Sequence, residues 1–394
     1  MRIYLDHNAA SPLRPAVQAA LGELLERGPH ANPASVHRAG QAARRELERG
    51  RARVASLIGA DPREIVFTSG GTEANNLAIF GVAVAKPDRN RIVTTTIEHS
   101  SVLEPLAELE RNNRTVIRLA PDRDGRIDPE ALASCVDSAT ALVTLGLVNA
   151  EVGAIQTVMP VAAATRSAGA LLHLDAAQAA GRLPVQVHEL GCDLMTLSAH
   201  KLGGPPGIGA LYIRHGSAVA PRLLGGPQEE ARRAGTPNLP GVIGFGIAAE
   251  EARRQWYEEQ WRIARLSQRL LDALVEKIPG LTLNGPREQR VANTLNLSFP
   301  GVLGETMLMA LDLEGVEVSM GSACAAGAVE PSHVLLAMGR GARAARSSLR
   351  ISLGWSTTAD QIALVAELIP RVWRRVVTAE RIDAASSAPL EELR

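Results

Sequence analysis

The stretch EIVFTSGGTEANNLAIFGVAVA, Glu64 to Ala85, runs from a short β-branched segment through paired glycines into an apolar segment long enough for a helix. EIVFTS has the length and branching of a strand, and TEANNLAIFGVAVA reads as the helix that follows it. The same succession continues to about residue 215. RIVTTT, RTVIRLA, ALVTLGLV, ALLHLD, DLMTLS and GALYI read as further strands, with SSVLEPLAELE, DPEALASCV and VMPVAAATRSAG as helices among them. Alternation of this kind implies βαβ units and a mainly parallel sheet covered by helices on both faces, an α/β fold.

Beyond Gly241 the pattern changes. FGIAAEEARRQWYEEQWRIARLSQRLLDALVEKI is a long amphipathic helix, and TLNLSF, EVSM and SSLRISLG are strands mixed with helices such as DQIALVAELIPRVWRRVV. The expectation is a large domain over residues 13–258, with a seven-stranded type of sheet. A smaller α+β domain is expected from residues 1–12 and 259–394.

Bulk composition narrows the function. The 42 basic and 42 acidic side chains cancel, which argues against a nucleic-acid or anionic-membrane surface as the main partner. Aromatic residues at 3% are too sparse for base-stacking platforms. No apolar run approaches the roughly 18–20 residues of a membrane span, and MRIYLDHNAASPLRP loses its apolar character at Asp6, so a cytoplasmic protein is expected. Cys135, Cys192 and Cys324 are too few and too far apart for a disulfide framework or a metal cluster.

In a parallel sheet, ligands sit at the carboxyl ends of the strands. There the unusual polar residues fall: Ser69-Gly70-Gly71-Thr72, Glu98-His99-Ser100, Asp175-Ala176-Ala177-Gln178 and Ser198-Ala199-His200-Lys201. Lys201 sits in LSAHKLGGPPGIG, Leu197 to Gly209, after Ser-x-His and before glycines and prolines. A surface lysine needs no such setting. A lysine that bonds covalently to a ligand does, since a pocket lowers the amine's pKa and makes it nucleophilic.

Asp175 at a strand end suits a protonated ring nitrogen, although a helix cap is an equal reading. The glycine pair before a helix suits a phosphate, or simply a tight turn. His99 can stack on a ring, move a proton, or serve the structure. Cys324, in SMGSACAAG, has the small neighbours of an exposed, mobile thiol, whereas Cys135 and Cys192 look buried and ordinary. Arg350 interrupts an apolar strand, so its guanidinium needs an anion, either a substrate carboxylate or an internal acid.

This ordered series resembles the cysteine desulfurases, pyridoxal-phosphate enzymes with the class V aminotransferase fold (fold type I). The likeness runs through YLDHNAASP, ANPASVHRAG, EIVFTSGGTEANN, EHSSV, HLDAAQ, SAHKLGGPPGIGALY, RRAGTPN, GSAC and SSLRISLG. It implies that Lys201 carries pyridoxal 5'-phosphate covalently, His99 stacks on its ring, Asp175 holds the ring nitrogen and Gln178 meets the phenolic oxygen. Gly71, Thr72, Ser198 and His200 would bind the phosphate, and Thr236 would reach the phosphate of a neighbouring subunit in a homodimer. Arg350 and Asn32 would bind the substrate, L-cysteine.

The Cys324 thiolate, on a loop at about 320–332, would take the sulfur as a persulfide, leaving alanine, and pass it to an iron–sulfur scaffold or another sulfur carrier. The GSAC form is similar to the branch with a longer cysteine loop. One departure stands out: LVNAEVG places Ala150 where the family has a second asparagine that touches cofactor and substrate. Loss of that hydrogen bond would cost about 1–3 kcal/mol. Asn149 should not replace it, because adjacent strand positions face opposite ways.

Two other readings share most of these residues. A class V aminotransferase or β-lyase would use Lys201, Asp175 and His99 but not Cys324. A non-catalytic partner in a sulfur-transfer assembly would need none of them.

Overall fold

The computed structural model describes residues 2–27, 31–320 and 330–386. The strands in the first half of the chain are β1 (Ile3–Tyr4), β2 (Ile65–Thr68), β3 (Arg91–Thr95), β4 (Thr115–Leu119), β5 (Thr140–Gly146) and β6 (Leu171–Asp175). They are followed by β7 (Leu194–Ser198), β8 (Gly209–Ile213), β9 (Thr282–Asn284), β10 (Thr294–Ser298), β11 (Val316–Glu317) and β12 (Ser348–Ser352). The described residues fall into two units. One comprises Ala10–Ala150 and Ala154–Glu259; the other takes the residues up to Ala9, Glu151–Gly153 and those from Gln260 onward.

The first unit is built on a seven-stranded sheet in the order β2-β8-β7-β6-β5-β3-β4. Its pairs are parallel except those of β8, which runs against both β7 and β2. The mainly parallel sheet expected from the alternation is therefore present. β5, β6 and β7 are buried along almost their whole length, as strands covered on both faces must be.

The opening stretch folds as a strand, a turn and a helix. β2 is followed by the Gly71–Ala85 helix, which buries Leu77, Ala78, Ile79 and Val82 in a cluster with Val66, Ile92, Val102 and Leu106. The helix stops at Lys86, which precedes Pro87; the proline ring disfavours helical geometry in the residue before it. Its start needs space. β8 begins at Gly209, paired with Thr68 and Ser198, and a Cβ there would lie 2.6 Å from the carbonyl carbon of Gly70.

In the second unit an antiparallel sheet, β12-β10-β9, lies with a parallel pair, β1-β11. Its core is Leu5, Leu270, Leu295, Phe299, Leu349, Ile351, Val365 and Ile369 with their neighbours. EVSM contributes only its first residue to a strand: β11 is Val316–Glu317, and Ser319 makes an isolated bridge to Arg350. No described helix is long and apolar enough to cross a membrane.

Candidate active site

Because β2, β3, β5, β6 and β7 run in one direction, their carboxyl ends share one edge of the sheet. Onto that edge fall Gly70-Gly71, Glu98-His99, Asp175 and Ser198-Ala199-His200-Lys201. At the first of these ends, a Cβ on Gly71 would stand 3.6 Å from Ser198 Cβ and from Thr196 Cγ2, while one on Gly70 would meet nothing within 4 Å. The glycine turn thus faces the end of β7, with open space beside it. The first N–H groups of a 15-residue helix, the Thr72 and Ser198 hydroxyls and His200 form a donor set suited to a phosphate. Ser198 Oγ lies 3.0 Å from His200 Nδ1. Burial, with the Lys201 charge beside it, brings the His200 pKa down to about 4, so this imidazole is neutral at pH 7. Lys201 closes the short helical turn Ala199–Lys201 that follows β7.

Asp175 ends β6 with both oxygens engaged. Oδ1 accepts the N–H of Ala177 at 2.9 Å, and Oδ2 accepts from Asn75 Nδ2 at 2.8 Å. Local capping is thus one of its roles, and the carboxylate is held in a fixed plane. Asn75 also donates to Ser101 Oγ at 2.8 Å, and Ser101 Oγ lies 2.7 Å from His99 Nδ1. His99 caps the Ser100–Arg111 helix by accepting the Ser101 N–H at 3.1 Å. His99 is an exposed residue at this edge.

Beneath this edge lies a buried polar row. His173, two residues before Asp175 and so on the same face of β6, sits between Thr144 Oγ1 at 2.7 Å and Thr196 Oγ1 at 3.0 Å. Burial lowers the His173 pKa to about 4 and keeps the ring neutral. Glu98 is buried as well; it accepts from Thr95 Oγ1 at 2.6 Å and from the N–H of Gly146 at 2.7 Å. Burial, helped by the Asp175 charge, pushes its pKa up to about 7 against these two hydrogen bonds.

Gln178 is buried, and its side-chain oxygen accepts from the Arg182 guanidinium. Thr236 and Asn32 are exposed loop residues; Asn32 Oδ1 accepts the N–H of Ala34 at 2.9 Å. Arg350 belongs to the other unit, on β12, where its Nη2 pairs with Asp6 Oδ1 at 2.8 Å, both side chains largely buried. An internal acid thus accompanies this guanidinium, as the second of its two sequence readings foresaw. Cys324 lies outside the described residues. Cys192 is buried, with its thiol pKa pushed up to about 12 by that burial, and Cys135 is half-buried.

Contrary to the expectation from strand alternation, Asn149 and Ala150 do not lie on a strand. β5 ends at Gly146, and a tight reversal follows in which the Asn149 N–H bonds to the Ala154 carbonyl at 2.9 Å. Strand alternation therefore does not govern residues 149 and 150. Asn149 is committed for another reason: its buried side chain donates to the Ile97 carbonyl at 3.1 Å. Sequence reasoning did not single out Asn75, Ser101 or His173. A signal for Asn75 was present, since it lies at helical spacing with Ala78, Ile79 and Val82, a polar residue on a buried stripe.

Comparison with known proteins gives concordant results. The family described as "Aminotransferase class-V" matches residues 3–365. The chain is 41% identical over 377 residues to a "Cysteine desulfurase IscS" of Dictyoglomus turgidum, covering 95% of each chain. Among solved structures, a "NIFS-LIKE PROTEIN" superposes with a TM-score of 0.89 at 34% identity, over 95% of this chain and 100% of that one. Another, "SspA in complex with cysteine", gives a TM-score of 0.80 at 30% identity over 90% and 99%.

Proposed function

The chain belongs to the class-V aminotransferase family and is a cysteine desulfurase of that family, and from this premise we propose that it uses pyridoxal 5'-phosphate and passes the sulfur of L-cysteine through Cys324. The observation that carries the cofactor assignment is one edge holding a phosphate cradle, an anchored carboxylate and a lysine. The glycine turn opens beside Ser198, and Asp175 is fixed through both oxygens one strand away from Lys201. These residues fit the group: anion donors for its phosphate, a carboxylate for its ring nitrogen, an amine for its aldehyde.

Bound pyridoxal phosphate supplies an electron sink for the carbon that bears the substrate's amino group. Gly71, Thr72, Ser198 and neutral His200 bind the phosphate, and Asp175 keeps a proton on the ring nitrogen. His99 stacks on the ring, and Gln178 serves its phenolic oxygen. Lys201 Nζ takes the substrate's α-proton and returns it to the α-carbon after the sulfur has left. Arg350 grips the substrate carboxylate with its planar fork, and Asn32 assists.

The Cys324 thiolate attacks the substrate sulfur. The carbon–sulfur bond breaks, its electron pair stays on the β-carbon, and a proton there completes alanine. The sulfur remains on Cys324 as a persulfide, to be discharged to an acceptor protein such as an iron–sulfur scaffold. Thr236, exposed on its loop, is proposed to serve the phosphate of a second subunit in a homodimer.

The test is release of alanine and sulfide from L-cysteine by cofactor-loaded protein with a reductant present. Equal amounts of both are expected. Cys324→Ala should abolish sulfide release while the cofactor's absorption is retained. Full activity in that variant would reject the persulfide route and favour a β-lyase.

A further inference from the structure

Asn75 is almost wholly buried, 1% exposed, near the start of the Gly71–Ala85 helix. Its amide nitrogen spends one hydrogen on Asp175 Oδ2 and the other on Ser101 Oγ, each at 2.8 Å. The orientation is forced, because an ionised carboxylate only accepts hydrogen bonds. The cost lies at the other end of the amide: Asn75 Oδ1 is buried with no hydrogen-bond partner among the described residues. Buried polar atoms are rarely left so, and exceptions gather where function demands a contact.

The second hydrogen bond continues the chain. Ser101 Oγ accepts from Asn75, so its own hydrogen is directed to His99 Nδ1, 2.7 Å away. The Ser101 backbone N–H points at the same nitrogen at 3.1 Å and cannot reverse. Nδ1 is therefore an acceptor, and neutral His99 carries its proton on Nε2.

We propose that Asn75 is a positioning residue that fixes the Asp175 carboxylate for the cofactor's ring nitrogen and, through Ser101, sets the tautomer of His99. One amide thereby governs the groups assigned to the two sides of the cofactor's chemistry, its ring nitrogen and its stacked imidazole. The proposal rests on the reading that this edge binds pyridoxal phosphate.

Asn75→Asp is isosteric and turns the donor toward Asp175 into an acceptor; Asn75→Ala removes it. In each folded variant the affinity for pyridoxal phosphate is expected to fall about tenfold or more, and the pH midpoint of the bound cofactor's visible band to shift. In the unaltered protein, nitrogen-15 spectra of labelled histidine, assigned with His99→Asn, are expected to show the Nε2–H form. Variants that match the unaltered protein in cofactor affinity and band midpoint would overturn the role toward Asp175. A predominant Nδ1–H form would overturn the role toward His99, and this measurement decides even if neither variant folds. An unaltered protein that binds cofactor but releases no alanine from L-cysteine would reject the desulfurase reading and leave these measurements valid. One that binds no pyridoxal phosphate would reject both.

Discussion

Glu98 Oε2 accepts the N–H of Gly146 at 2.7 Å, and a Cβ on that glycine would come within 3.2 Å of the same oxygen. The contact holds a carboxyl group in a buried site, where desolvation first and the Asp175 charge second favour its protonated form. A folded pKa of about 7 against an ordinary 4.5 means that the folded state keeps a proton the unfolded chain releases. The resulting stabilisation is fully present below 4.5 and is lost as pH rises toward 7, by about 3 kcal/mol. His173 and His200, held near 4, slope the other way, adding stability as pH rises from about 4 to 6.5. Comparison of Glu98→Gln with the unaltered protein cancels that common slope. Urea unfolding at pH 5 and pH 8 should show the variant gaining stability relative to the unaltered protein at the higher pH. Equal pH dependence would reject a protonated Glu98.

At Gly209 the chain has no room for a side chain. A Cβ would stand 2.6 Å from the Gly70 carbonyl carbon and 2.8 Å from the Leu197 carbonyl oxygen, both backbone atoms. Gly209→Ala should therefore push the glycine turn away from Ser198, costing about 1–3 kcal/mol of stability and weakening cofactor binding. Chemical unfolding and cofactor titration read the two effects. A variant as stable as the unaltered protein, with unchanged affinity, would show that β8 and the turn shift freely.

The Asp6 carboxylate fixes Arg350 from one side and leaves its fork oriented. Arg350→Ala should raise the KM for L-cysteine at least about tenfold, and Arg350→Lys nearly as much, because an ammonium cannot grip a carboxylate bidentately. The cofactor's absorption should not change in either. An unaltered KM in Arg350→Ala would mean that the pairing with Asp6 is purely architectural.

Ala150 leaves a methyl group where the resemblance to the desulfurases calls for an amide, and Asn149 is occupied with the Ile97 carbonyl. Ala150→Asn should raise kcat/KM for L-cysteine about tenfold, the equivalent of roughly 1–2 kcal/mol. Steady-state turnover decides the matter: unchanged kcat/KM would mean that the missing amide has no role here.

Much of this arrangement was legible in the chain, for identifiable reasons. The sheet strands announce themselves because burial on both faces requires continuous β-branched runs, and the polar residues that end them stand out by contrast. β1 and β9 are too short, at two and three residues, to carry a period. The Arg38–Ile58 helix escaped because its buried stripe is Gly40, Ala43, Leu47, Gly50, Arg51 and Val54, too small and too charged to read as apolar. Asp6 registered only as a break in an apolar leader, since its partner Arg350 is 344 positions away. Asn75 and Ser101 are joined only when two helices pack side by side. Such pairings belong to the tertiary fold, and no local pattern encodes them.

The place of β2 in the sheet has a consequence for how the protein is made. Among the described residues it is an edge strand whose only neighbour is β8, whose first residue follows its last by more than 140 positions. During synthesis the strand that leads into the Gly70-Gly71 turn has no described partner to zip onto until residues 209–213 have emerged, and long-range closures of this kind are slow. On the proposed reading of this edge, cofactor capture waits for that closure, and a chain truncated before Gly209 should emerge colourless.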